Sequence, residues 1–272
     1  MFWRVRGRPV DLSGSERWLS APMHDAETIG DNWLVAAAAA HGGTVSETVS
    51  GGLLADMSDL DGPDFRADDL RPEIRDFYEH TSRWRMEVWT QWSPVFQPAG
   101  ELVSRLFGRR VQQLALPTRP LAVAHGMDSR VAVILGPAGD QRAAAWLRTL
   151  RSTGEYVYSG CYSSRLLPGA RQPSVHVAFP LQSGNVQVFL RPRTDHDGAL
   201  VLSSPRGSFG DNGAYVVVED GGGFHAARAP IHETFRVYVD GEGVLRTDHV
   251  LCLWSATVVR LHYKLMSTHA SP

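Results

Sequence analysis

From Ser174 to Leu265 apolar and polar residues alternate in short runs, and turns bearing Gly and Pro separate the runs. A period of two is the mark of strands that turn one face toward a core. The alternation sets in after Pro120. It predicts strands near 129–136, 142–150, 155–167, 174–181, 185–191, 199–204, 213–219, 233–240, 245–252 and 257–264. The run 142–150 also suits a short helix, because Ala143 to Trp146 are good helix formers. Residues 137–140, 182–185, 195–198 and 240–243 carry the Gly, Asn and Asp of tight hairpins. Strands joined this way predict an antiparallel meander, and one this long rolls up to dispose of its edges.

Upstream the period is closer to 3.6. A helix is predicted from Asp25 to Ala40, ended by Gly42–Gly43. Asp68 or Asp69 can cap a second helix, with Pro72 in its first turn. Ile74, Phe77, Tyr78, Trp84, Val88 and Trp92 recur in it at three- and four-residue steps as far as Pro94. A third helix is predicted from Pro98 to about Gln113, while residues 1–24 and 51–65 read as irregular. The expected fold is therefore α+β: N-terminal helices packed on a large C-terminal antiparallel sheet, rolled into a barrel or half-barrel. The mainly helical part would be 1–120 and the sheet part 121–272, in one compact unit because no Ser/Pro-rich linker divides them.

Composition narrows the function. The chain has 272 residues, 43% hydrophobic and 21% charged, with a formal charge of −2. That balance gives no electrostatic reason to expect nucleic acid. Cys161 and Cys252 fall inside predicted strands, which fits two reduced thiols rather than a disulfide scaffold. The first residues lack the apolar stretch of a secretory signal. Trp33–Ala40, the longest apolar run, is far short of the roughly 20 residues needed to cross a bilayer. A cytoplasmic protein with no membrane partner is expected; oligomeric state is not legible.

No H-E-x-x-H, C-x-x-C, GxGxxG or P-loop string is present, so neither a metal nor a cofactor is expected. Candidate chemistry lies instead in polar residues set inside apolar strands. Arg246 and Asp248 share one strand face, Thr247 and His249 the other. Asp248 could orient His262 for acid/base work, with Arg191 holding an oxyanion or carboxylate. The bland alternative pairs Arg246 with Asp248 and leaves His262 on a backbone carbonyl. His176, Gln187 and Arg191 should share a face, which makes either a polar lumen or a solvated surface. Asp211, in Phe209-Gly-Asp-Asn-Gly213, either points into a pocket mouth or binds its own turn. Tyr78, Ser82, Arg85 and Trp89 would line one helix face as a pocket floor, or belong to an ordinary amphipathic helix. Tyr238 and His249 complete the expected ligand-binding set.

Several strings also resemble those of bacterial proteins labelled YndJ-like: Leu70-Arg-Pro, Phe77-Tyr-Glu-His-Thr, Arg191-Pro, Phe209-Gly-Asp-x-Gly, Val237-Tyr-Val-Asp240, Leu245-Arg-Thr-Asp-His249 and Leu261-His-Tyr-Lys264. The resemblance spans roughly residues 65 to 265. It implies a family and no mechanism, and the membrane segments attached to some of those proteins have no counterpart in these strings. The functional expectation rests on the residues: a small-molecule enzyme without bound cofactor, of cyclase, isomerase or hydrolase type, acting on an apolar, oxygen-bearing substrate. The alternatives are a carrier for an apolar ligand and a structural protein whose polar strand residues only stabilise it.

Overall fold

The computed structural model describes residues 7–24, 30–92 and 126–268. The helix expected over 98–113, and the first residues of the one expected from Asp25, lie outside them. Before the main run of strands come β1 (Arg8–Val10), α1 (Leu34–Ala40), β2 (Thr44–Ser46), α2 (Pro72–Glu79) and β3 (Trp84–Trp92). Then follow β4 (Met127–Leu135), β5 (Gln141–Leu150), β6 (Tyr156–Arg165), β7 (Ser174–Leu181), β8 (Gly184–Thr194) and β9 (Leu200–Ser203). The last are β10 (Gly213–Asp220), β11 (Gly223–Ala229), β12 (Ile231–Val239), β13 (Leu245–Leu253) and β14 (Ala256–Ser267).

These strands form one antiparallel sheet in the order β2-β4-β5-β6-β7-β8-β9-β12-β13-β14-β3. The sheet does not close on itself, so the described residues form no barrel. It forks at β8, whose first half pairs with β10 and whose second half pairs with β9. The β10–β11 hairpin is thus a branch off the meander, and β1 adds to its outer edge.

Two expectations need correction. The helix foreseen from Pro72 to Pro94 stops at Glu79. Its first eight residues behave as read: Pro72 occupies the first turn and Ile74, Phe77 and Tyr78 are buried. Thr81 Oγ1 then donates to Phe77 O at 2.6 Å, taking up a carbonyl that a continuing helix would use. Residues 84–92 are strand β3, paired along their length with β14. Trp84, Val88 and Trp92 are four apart, a spacing that fits two strand repeats as well as one helical turn. Among the described residues the N-terminal part is therefore not mainly helical, and β3 sits in the same sheet as the C-terminal strands. The second miss is β11, whose run of Gly and Ala has low strand propensity.

The sheet has two apolar faces along part of its width. On one side α1 lays Trp33, Leu34, Ala37 and Ala38 on Ala132, Ile134, Ala143, Ala145 and Ala178. Small residues on both partners let helix and sheet approach closely. Next to it Val10, Trp18 and Leu19 of the N-terminal segment cover Phe189, Tyr215 and Val217. On the other side the largest core joins Leu53, Met57, Leu60 and Phe65 of the 51–70 loop to α2 and the sheet. That loop passes so close to the end of α2 that a Cβ on Gly52 would stand 2.2 Å from Glu79 O. Only glycine fits there. Among the described residues no helix is long and apolar enough to cross a membrane.

Candidate functional site

Every strand from β3 to β14 except β11 gives side chains to a single cavity of about 240 Å³, of one parity in each strand except at the β6 bulge, where Val157 and Tyr158 both face it. Trp146 and Arg148 reach it from β5, Tyr158 and Tyr162 from β6, Val175 and Val177 from β7, and Val186, Val188 and Leu190 from β8. From the other end of the sheet come Glu233 and Phe235 of β12, Thr247 and His249 of β13, Tyr263 of β14 and Met86 of β3. Arg148 Nη2 donates to Met86 Sδ at 3.2 Å, so β5 and β3 meet across the opening although they are far apart in strand order. Tyr78 and Phe77 of α2 close the inner end.

The walls are mostly Val, Leu, Phe and Ile, and the polar groups among them are few. His249 stacks on Phe235 with ring centroids 3.8 Å apart and planes 16° from parallel. Its Nε2 lies 3.6 Å from Glu233 Oε2, an ion-pair distance longer than a hydrogen bond. Both side chains are nearly buried, at 8% and 12% exposure, and neither imidazole nitrogen has a hydrogen-bond partner. The Tyr158 and Tyr162 hydroxyls bond each other at 2.5 Å. Burial pushes the Tyr263 hydroxyl up to about 12, with Arg148 opposing and Glu233 adding to the shift. Burial likewise raises Tyr78, Tyr158 and Tyr162, so all four phenols stay protonated and able to donate.

Of the residues expected from the sequence, Tyr78 and His249 line this cavity and the others do not. Asp248 and His262 do meet: Nδ1 and Oδ1 are 2.6 Å apart. A β-bulge between Leu251 and Cys252 shifts the β13–β14 register by one, which sets His262 opposite Asp248 and Leu261 opposite His249. The pair stands on the outward face, with side chains 38% and 51% exposed. Neither residue lines the cavity. Trp89 lies beside His262 at 6.0 Å between ring centroids, also outward and 51% exposed. Tyr238 is on the same face, its hydroxyl raised by burial and by the Asp248 charge. Arg246 pairs not with Asp248 but with Asp240, at 2.8 Å.

Arg191 ends far from that group, as an exposed partner of Asp64. Asp211 binds its own turn, its Oδ2 accepting from Ser208 N at 2.6 Å. Ser82 Oγ donates to Val49 O at 2.9 Å, and Arg85 is exposed on β3. His176 and Gln187 share a face as expected, but it is the face away from the cavity, and the N-terminal segment covers it. Gln187 Nε2 donates to Leu19 O at 2.7 Å and to Asn185 Oδ1 at 2.8 Å. Its Oε1 therefore accepts from His176 Nε2 at 2.8 Å, which leaves Nδ1 to accept from Ser163 Oγ at 3.0 Å. Desolvation lowers His176 to about 3. This is a satisfied neutral network, with no group left over for a ligand.

Glu233, Arg148, Tyr158, Tyr162 and Tyr263 were not singled out beforehand. Each carries a signal, because each holds the parity of apolar strand neighbours: Glu233 alternates in step with Ile231, Phe235 and Val237. Comparison of the chain with protein-family models, with curated proteins and with solved structures gives no match, so the site is read from its own residues.

Proposed function

We propose that the protein binds a small, apolar, oxygen-bearing molecule in this cavity and acts on it by cofactor-independent acid/base chemistry, of the isomerase or cyclase type. In this reading the curled sheet works as a half-barrel whose hollow holds the substrate. The observation that carries it is the Glu233–His249 pair: two nearly buried titratable groups, facing an apolar cavity, with both imidazole nitrogens unbonded. Burying such groups costs stability unless they are paired or used. Glu233 as carboxylate takes a proton from a carbon next to a carbonyl. His249 or the Tyr263 hydroxyl bonds the oxygen on which charge develops, and the proton returns at the new position. A cavity of about 240 Å³ lies just below the roughly 300–1,000 Å³ of drug-sized sites, so the substrate is small.

A carrier for the same ligand is the second reading, favoured by the apolar walls. Deuterium exchange separates the two. With 4-phenyl-2-butanone as probe in D2O, NMR should show the wild type exchanging protons beside the carbonyl. Glu233→Gln and His249→Phe should slow that exchange by about 10²-fold or more while still binding the ketone. Binding without exchange in the wild type selects the carrier. No binding at all removes both readings.

A further inference from the structure

The cavity holds a cation with no protein anion beside it. Arg148 projects inward from β5, its guanidinium carbon 4.0 Å from the Trp146 ring centroid and 5.1 Å from that of Tyr158. Stacking of this kind fixes the plane of the group and leaves its terminal N–H groups at the ring's edge. One edge nitrogen donates only to the Met86 sulfur, a weak acceptor. The Nε is buried and bonds nothing.

Several other arginines of the chain are provided for differently. Arg75, Arg130, Arg191, Arg236 and Arg246 each have at least one carboxylate partner. Arg165 and Arg228, which also have no carboxylate partner among the described residues, donate to backbone carbonyls instead. The carboxylate that lines the same cavity, Glu233, is engaged with His249 on the opposite wall. Among the described residues, then, the one charged group that Arg148 faces without a partner is whatever enters the cavity. A half-buried guanidinium is stabilised strongly by an anion that takes charge-assisted N–H···O bonds from it, and a carboxylate would compete easily with the weakly accepting Met86 sulfur.

We propose that Arg148 is the anchor for a carboxylate, so that the ligand of this cavity is a small apolar carboxylic acid in its anionic form. The inference rests on the reading of the cavity as a ligand site and adds the substrate class. The carboxylate sits on the Arg148 wall, the hydrocarbon fills the Val and Leu lining, and the reacting carbon is presented to Glu233 and His249 across the cavity.

The test changes the head group and keeps the tail. Calorimetric titration of the intact protein at pH 7 compares octanoate, 1-octanol and octylammonium. Octanoate should bind at least 10-fold more tightly than octanol, and octylammonium most weakly. Arg148→Met, which keeps the apolar contacts, should erase the preference for octanoate and leave octanol affinity within about twofold. Arg148→Lys, which keeps charge but not the guanidinium, should retain only part of it. Equal affinity of the wild type for octanoate and octanol overturns the anchor while leaving the cavity a ligand site. Persistence of the full preference in Arg148→Met overturns it as well. If neither compound binds, the cavity reading falls and the anchor with it. A melting curve of each variant confirms folding, and the wild-type head-group comparison stands even if a variant does not fold.

Discussion

The two halves of the sheet are built from the same antiparallel pairing but live in different surroundings. Strands β4 to β8, with β10, have apolar cover on both faces, and in β7 every residue but the last is buried. Strands β12 to β14 and β3 turn one face to the cavity and the other to solvent. In β13 burial alternates, with Leu245, Thr247 and His249 inside and Asp248 exposed. Polar groups accordingly mean different things in the two halves. On the outer face of the covered half, His176 and Gln187 must satisfy every donor and acceptor, and they do. On the outer face of the open half, Asp248, His262, Arg236 and Lys264 are solvated and need nothing. On the shared inner face His249 and Arg148 keep buried nitrogens without a hydrogen bond, and both line the cavity; the other such atoms, among them His225 Nδ1 and Arg228 Nε of β11 and Glu73 Oε2 of α2, do not. That contrast, more than the presence of a histidine beside an acid, locates the site.

The largest test of the contrast is Trp33→Ala. Trp33 is 1% exposed, packs under α1, and its Nε1 donates to Ser159 Oγ at 2.9 Å. Truncation leaves a cavity and takes from the Ser159 hydroxyl the donor it accepts from, leaving only its bond to Gly30 O, and should destabilise by about 3–5 kcal/mol in urea unfolding. A loss under 1 kcal/mol would mean that α1 is dispensable cover. The next test is acid. His176 is neutral in the fold with a value of about 3 against an ordinary 6.5. Between those values the unfolded chain binds the extra proton, so stability rises with pH across the window and is lost as pH falls through it. Going from pH 7 to pH 4 should remove about 3 kcal/mol through this group. His176→Gln should flatten that part of the pH profile, and an unchanged slope would show that the ring is not held neutral.

Much of the sheet was legible because hairpin strands carry their own punctuation. The run 174–181 coincides with β7, and the turns at Gly198 and Gly243 have the positive φ that their glycines allow, 75° and 79°. β3 was missed for a physical reason, since residues four apart satisfy both periods and only Thr81's grip on Phe77 O decides between them. The site was harder. Pairing Asp248 with His262 requires only two strands joined by a hairpin. Glu233, His249 and Tyr263 are likewise on consecutive strands, but bringing Arg148 to them requires knowing that β5 and β3 meet across the opening, which no local pattern encodes. Parity could have named the group: a charged residue in step with buried apolar neighbours is the informative exception, and Glu233 and Arg148 both qualify.

The smallest expected effects fall on the outward face of the open half, where the acid/base pair first suggested by sequence turns out to stand. Asp248 and His262 are joined by a short hydrogen bond, yet both are well exposed and water competes for each. Exposed ion pairs contribute about 0–1 kcal/mol. Asp248→Asn, which keeps the shape and a hydrogen-bonding oxygen, should therefore lower stability by no more than about 1 kcal/mol. Trp89→Ala should stay within about 0.5 kcal/mol, since half the ring is already in water and its neighbour His262 is exposed too. Both variants should leave ketone exchange unchanged, while Glu233→Gln abolishes it. The decisive measurement is that pairing of outcomes. Loss of exchange in Asp248→Asn, with unfolding curves superimposed on the wild type, would move the chemistry to the outer face and undo the division between a solvated surface and a working interior. Retention of exchange there, and its loss in Glu233→Gln, is what the proposed chemistry requires: the same pair of residue types, an acid and an imidazole, would then be inert where water satisfies it and reactive where only a ligand can.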